Sequence, residues 1–323
     1  MRLARLFLIV IGLGLISAQE GFSQQIPQFS QYMFNPTFIN PAYAGYKQEL
    51  YLQTYYRKQW TGVEGSPETF ALAGDATIFK TRLGVGGQIM TDKIGAQRTT
   101  SAYGNLSYHL QLTDSRFLSF GMGAGLIHSS LDGGMLNPAN PSDPAVPAGS
   151  EQTFYTDVKA GLFLYDDLFF IGIAGDQLLS PVFDFDRGDV KIQPVPHVYL
   201  SGGVLVDLSD QISLLPSFMY MDDFKSPSRL DLNASFILND NIWIGGGYRM
   251  GMKVPGREIQ KELRMASAII GMFQIFLGEG FRFGYGYDHS ISGFGPQNTS
   301  SHEISLAYWF RPRRLRIISP RYF

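Results

Sequence analysis

From about residue 49 onward the chain is a succession of runs, each roughly 8 to 14 residues long, in which apolar side chains alternate with polar or small ones. Leu230, Leu232, Ala234, Phe236 and Leu238 alternate with Arg229, Asp231, Asn233, Ser235 and Ile237. Phe281, Phe283, Tyr285 and Tyr287 alternate with Arg282, Gly284, Gly286 and Asp288, and Ile304, Leu306, Tyr308 and Phe310 with Glu303, Ser305, Ala307 and Trp309. Successive side chains of a strand point to opposite faces, so each run presents one apolar face and one face that is charged or small. Helical periodicity fits none of these windows. No stretch after the leader approaches the ~18 consecutive apolar residues that a membrane-spanning helix requires, so a membrane form of this chain crosses with strands.

Fourteen strands are expected, among them 83–91, 99–112, 116–128, 197–208, 260–276 and 301–311. The connectors between them segregate by parity. Tight turns are expected at Lys80–Arg82, Thr113–Ser115, Asp166–Asp167, Ser209–Asp210, Asn239–Asn241 and Gly278–Gly280, all built from residues that accept turn geometry. Between them lie longer pieces rich in Pro, Asp and Gly, including 129–151 and 176–196. Short turns at one end and long loops at the other are the layout of an all-β, up-and-down transmembrane barrel of about 14 strands, residues 49–311, with both termini on the short-turn, periplasmic side.

A secreted β-sandwich or propeller also alternates, and composition weighs against it. Charged residues make up only 17% of the chain, against about 25% in ordinary soluble domains, while aromatics reach 14% and glycines number 36. Aromatics gather near strand ends (Tyr55, Tyr56 and Trp60; Phe169 and Phe170; Trp243; Tyr308, Trp309 and Phe310), as lipid-interface girdles require. Closure into a barrel also removes the exposed edges that an open sheet of this size would have to protect.

Ahead of the strands, Arg2 and Arg5 precede an apolar run from Leu6 to Ile16, the pattern of a secretory signal peptide over residues 1–23, with Ala18 as an alternative cleavage point. From 26 basic and 28 acidic residues, removal of Arg2, Arg5 and Glu20 leaves a mature net charge of −3. That balance offers no basic field for nucleic acid. The absence of cysteine excludes disulfides, thiolate metal sites and cysteine nucleophiles.

The five histidines, His109, His128, His197, His289 and His302, form no metal or triad spacing. Asp288-His289 and His302-Glu303 are neighbours within strands, so their side chains face opposite ways and cannot share one site. Gly84–Gly87 and Gly245–Gly247 lie inside strands and read as lumen-facing or close-packing glycines, not phosphate cradles. No cofactor and no enzymatic activity are expected. Alternation sends Arg57, Asp75, Asp157, Lys159, Asp231, Glu262, Arg264, Arg282, Asp288 and Glu303 into the lumen. With no dominant sign, they suit a paired interior or a held segment at least as well as a selective pore.

Residues 24–48 behave differently. Pro27, Pro36 and Pro41, two Asn-Pro steps and the aromatics Phe29, Tyr32, Phe34, Phe38 and Tyr43 fall within 21 residues. Prolines cannot donate to a ladder and Asn-Pro starts turns, so this is a turn-rich segment docked at the periplasmic mouth or in the lumen, its aromatics against the first strands.

The run Pro27-Gln28-Phe29-Ser30-Gln31-Tyr32-Met33-Phe34-Asn35-Pro36, followed by Asn40-Pro41-Ala42-Tyr43-Ala44-Gly45, resembles the amino-terminal signature of the PorP/SprF family, outer-membrane proteins of the type IX secretion system in Bacteroidota. Tyr55–Trp60, Gly247-Tyr248-Arg249, Phe283–Asp288, Ser301–Leu306 and Ser319–Phe323 carry the likeness along the mature chain, and Ile26 departs from it where the family often has an acidic residue. The resemblance implies a non-enzymatic role in secretion and gliding. It implies association with periplasmic ring lipoproteins, or with a secreted adhesin or type B-signal cargo, the signature positions Pro27, Gln28, Phe29, Gln31, Tyr32, Asn35, Pro36, Asn40, Pro41, Ala42 and Gly45 being candidates for docking. Charge adds a second surface: a basic tail over residues 312–323, flanked by Arg311 and carrying Arg313, Arg314, Arg316 and Arg321, suits an acidic periplasmic partner or anionic lipid.

Overall fold

The computed structural model describes residues 27, 29–34, 36–78, 81–136, 147, 149–180, 194–252, 267–278, 280–291 and 299–310. The expected signal peptide, Gln28, Asn35, Glu262, Arg264 and the basic tail with Arg311, Arg313, Arg314, Arg316 and Arg321 lie outside them.

Alternating runs become antiparallel strands: β1 (Tyr51–Thr61), β2 (Glu68–Thr77), β3 (Leu83–Ile94), β4 (Gln97–Gln111), β5 (Phe117–Asp132), β6 (Ser150–Tyr165) and β7 (Phe169–Asp176). They continue as β8 (His197–Val204), β9 (Val206–Ser209), β10 (Ile212–Asp222), β11 (Ser228–Leu238), β12 (Ile242–Met252), β13 (Ala268–Leu277), β14 (Phe281–Ser290) and β15 (Ser300–Trp309). Both β8 and β9 pair with β10, and only Leu205 separates them, its amide donating to Leu168 O at 2.6 Å. They are one stave with a break, so the described residues form fourteen staves. β1 pairs β15 from Tyr51↔Trp309 to Thr61↔Ser300, which closes the sheet and leaves no free first or last strand.

Outward positions carry the apolar side chains: Leu106, Met122 and Phe154 are 53%, 65% and 68% exposed. Such a face is stable only against lipid. Two expectations need correction. The connector expected between residues 91 and 99 is a two-residue turn, Gly95-Ala96, because the alternation of β3 and β4 runs on until Ile94 pairs with Gln97. Gly95 adopts φ +56°, which a two-residue hairpin requires. The aromatic girdle is also thinner than expected. Tyr56, Trp60, Tyr308 and Phe310 face outward, but Tyr55, Phe170, Trp243 and Trp309 are buried inside, since adjacent strand residues cannot share a face.

Candidate functional site: a lumen filled by the chain's own amino-terminal segment

Residues 29–34 and 36–47 lie inside the barrel. Tyr32–Phe34 and Pro41–Tyr43 form single 3-10 turns, with a four-residue helix α1 (Pro36–Ile39) between them. Proline placement explains these short elements. A proline fits the first position of a helical turn, where no N–H is needed, and holds the preceding residue extended. Asn40 is that preceding residue, at φ −128° and ψ 112°. Its Oδ1 accepts from Ala42 N at 2.9 Å, and its Nδ2 donates to Leu162 O of the wall at 2.9 Å.

Short turns such as Phe34 N to Gln31 O and Asn40 N to Pro36 O satisfy part of the segment's main chain, and wall side chains partner other groups. Ser30 N and Gln31 N each donate at 3.0 Å to the two oxygens of Glu303. Gly45 N donates to Asp75 at 2.8 Å. Ala42 O accepts from Ser119 Oγ at 2.7 Å, and Ala44 O from Ser107 Oγ at 2.6 Å and His109 Nε2 at 2.8 Å. The Tyr165 hydroxyl donates to His109 Nδ1 at 2.9 Å, which leaves Nε2 protonated toward Ala44. Lys159 Nζ reaches Phe38 O at 3.3 Å and Asp176 at 2.9 Å.

The lumen has two tiers. Toward the short turns it is aromatic and dry. Phe34 packs edge-on against Trp243 at 4.9 Å between centroids, and Tyr46 against Tyr165 at 4.7 Å. Tyr32, Met33, Tyr43, Phe163, Phe170 and Met219 belong to the same buried cluster. The segment's aromatics thus spread around the barrel instead of gathering on the first strands; Phe29 and Phe38 pack on Tyr55 of β1. Burial holds the hydroxyls of Tyr32 and Tyr43 well above the ordinary tyrosine range.

Toward the long connectors the lumen is ionic. Arg57 bonds Asp288 at 2.7 Å and Glu303 at 3.0 Å; Arg249 bonds Asp288 at 2.9 Å and Asp231 at 3.1 Å; Arg229 also holds Asp231. Ser30 Oγ sits among them, donating to Asp288 at 2.6 Å and accepting from Arg57 at 3.1 Å and Arg249 at 3.0 Å. Three cations meet three anions, so this cluster is neutral. All six are buried wall side chains, and a serine of the segment is shared between them. On the opposite wall Tyr103 donates to Asp157 at 2.8 Å, with Lys159 4.1 Å above its ring.

Wall glycines are cut to fit the segment. A side chain at Gly84 would meet Ala44 O at 2.0 Å, and one at Gly121 would meet Ala42 N at 2.1 Å.

Of the signature positions, Phe29, Gln31, Tyr32, Asn40, Pro41, Ala42 and Gly45 are buried against the barrel's own wall, and Pro27 and Pro36 are half-buried. Arg57, Asp75, Asp157, Lys159, Asp231, Arg282, Asp288 and Glu303 all point inward as alternation requires. Sequence reasoning missed Arg229, Arg249 and Asp176 as lumen groups. Parity held the signal: Arg229 shares a face with Asp231, and Arg249 with Trp243, Gly245 and Gly247. Asp288 and Glu303 enter the ionic cluster while His289 and His302 stand on the other side of their strands, His302 bonding Tyr285 at 2.7 Å.

A family model described as "Type IX secretion system membrane protein PorP/SprF" matches residues 21–308. Among solved structures, the CymD monoaromatic hydrocarbon channel aligns over 90% of this chain and 96% of its own at 12% identity, with a TM-score of 0.55. A Pseudomonas aeruginosa FadL homologue (12% identity, 88% and 95% covered, TM-score 0.48) and the P. putida toluene transporter TodX (10%, 84% and 93%, 0.49) are similar more loosely. At these identities the likeness to CymD establishes the barrel fold and nothing of what passes through it. Comparison with curated protein sequences gives no match.

Proposed function

Because the chain belongs to the PorP/SprF family of type IX secretion system membrane proteins, we propose that this outer-membrane barrel works as a sealed scaffold, supporting the secretion or surface anchoring of a partner. It is a non-enzymatic member of the secretion machinery. The partner on one side is a secreted adhesin or type B-signal cargo, and on the other the ring lipoproteins of the periplasm. The short turns and the basic carboxyl-terminal tail face the periplasm, and the long connectors face outward. The observation that carries the reading is the filled lumen: a barrel whose bore holds its own segment, sealed by aromatics at one end and by a neutral ion cluster at the other, is built to present surfaces and not to pass solutes.

Deletion of the gene is expected to abolish surface display of the product encoded beside it, and affinity purification from cells to recover that product or a ring lipoprotein with the barrel. Undiminished display, with neither partner recovered, would refute the scaffold role. The rival is a passive porin, which the filled bore disfavours.

A further inference from the structure

Between β6 and β7 the barrel wall has a notch at its long-connector end. β6 pairs with β5 over its whole length, from Phe117↔Tyr165 to Asp132↔Ser150, without a bulge. On its other side it pairs with β7 only from Ala160↔Gly175 to Tyr165↔Phe170, because β7 and β8 stop together at Asp176↔His197. The last rung is Leu178 N, which donates to Val158 O at 3.2 Å. There the chain turns off the ladder: Gln177 takes φ +56°, and Ser180 N and Oγ both bond Gln177 O. The returning end of the connector is held at the same place, with Val195 N donating to Gln177 Oε1 at 3.2 Å.

Backbone groups of a strand point alternately to its two neighbours. Val158 O and Asp166 N face β7, while Gly149 O accepts from Gly133 N on the β5 side, so even-numbered residues of β6 turn their N–H and C=O away from β5. Those of Gln152, Phe154 and Thr156 meet no ladder partner among the described residues. Such a row is not stable against hydrocarbon. Its surroundings suit water above the lipid belt: the outward side chains here run Arg98, Ser130, Gln152 in one row and Thr100, His128, Phe154 in the next. Proteins blunt open edges with proline, lysine or a bulge, and residues 150–158 contain none of these.

We infer that the edge of β6 from Gln152 to Thr156 docks an extended segment of a secreted protein held at the cell surface, which joins the barrel wall as an added strand. Main-chain bonds supply the attachment and alternate side chains the selectivity. Phe154, 68% exposed and stacked on the His128 ring at 4.3 Å, offers an apolar contact to the outward face of that segment. Glu151, on the other face, favours Lys or Arg opposite it. Placing the segment outside the cell rests on the outward orientation of the long connectors proposed above; the open edge does not.

Thr156→Pro and Gln152→Pro each remove an N–H that the β5 ladder does not use and set a ring on the open edge, whereas Thr156→Val keeps the N–H and the strand preference. Surface display of the product encoded beside this gene is expected to fall about tenfold with either proline and to stay at the wild-type level with Thr156→Val. Heat-modifiable migration confirms that each variant is a folded barrel. Hydrogen exchange on the wild-type protein is the second measurement and needs no variant. In the purified barrel the amides of Gln152, Phe154 and Thr156 are expected to exchange fast and those of Thr153 and Asp157 slowly; in the barrel purified with the neighbouring gene's product all five are expected to be slow. Slow exchange at the three even positions of the isolated barrel means that its own chain covers the edge, and overturns the inference. Display lost on gene deletion but unchanged in the folded proline variants overturns the inference and leaves the scaffold reading standing. Display that survives deletion of the gene overturns the scaffold reading, and the docked partner with it.

Discussion

At the scale of single residues, the barrel's interior is arranged around a main chain that satisfies itself only in part. Glu303 is the clearest instance, since its two oxygens take the amides of Ser30 and Gln31 and one of them also takes Arg57. Removing one member of a buried charge network leaves the others uncompensated, at a cost of about 3–5 kcal/mol. Glu303→Gln is therefore expected to lower the unfolding free energy of the barrel by that order, read as a fall in its denaturant midpoint, and to make the docking segment protease-sensitive; a midpoint equal to wild type would remove Glu303 from this role. Gly121→Val places a side chain where Ala42 N lies 2.1 Å from an ideal Cβ, and the segment must shift. Its expected signature is proteolysis near residue 42 with the strands intact. Tyr32 and Tyr43 add a pH dependence. Burial raises their pKa in the docked state above the ordinary 10.0, so docking is at full strength below pH 10 and weakens as pH rises past it, because only the released segment ionises readily. Protease sensitivity of residues 27–47 is expected to rise only as pH passes 10.

At the scale of elements, the strands were legible and the segment's destination was not. A period-two pattern reports which residues share a face, so the inward set from Arg57 to Glu303 follows from alternation alone. Which inward groups pair across the bore depends on strand tilt and stagger, which the pattern does not encode. Arg229 and Arg249 illustrate this: their parity was readable, their convergence on Asp231 was not. The segment posed a harder case. Proline and Asn-Pro steps announced turns, and six aromatics between Phe29 and Tyr46, each contributing about 2 kcal/mol when buried, demanded a dry surface. Only the complementary glycines of the wall locate that surface in the bore, and a glycine within a strand pattern marks a bulge or a tight bend just as readily. Deleting residues 27–46 is expected to leave the strands able to pair but to expose the ionic tier. A barrel without the segment should migrate as folded, yet with a lower heat-modification temperature than wild type.

At the scale of the whole molecule, the surplus of aromatics and the shortage of charge express two separate dry interfaces: the lipid belt outside and the sealed lower tier inside. An aqueous porin needs only the first of these. The second closes the bore at its short-turn end and ties the amino-terminal signature to the wall from β1 to β15. Secretion-system membership and a filled barrel then point the same way, to a protein that acts through the surfaces it presents. Planar-bilayer recording on the purified barrel, with and without residues 27–46, tests this most directly. The wild-type barrel is expected to be electrically silent and the deleted form to conduct; steady open-state current through the wild type, of the size the deletion gives, would contradict the sealed-scaffold account.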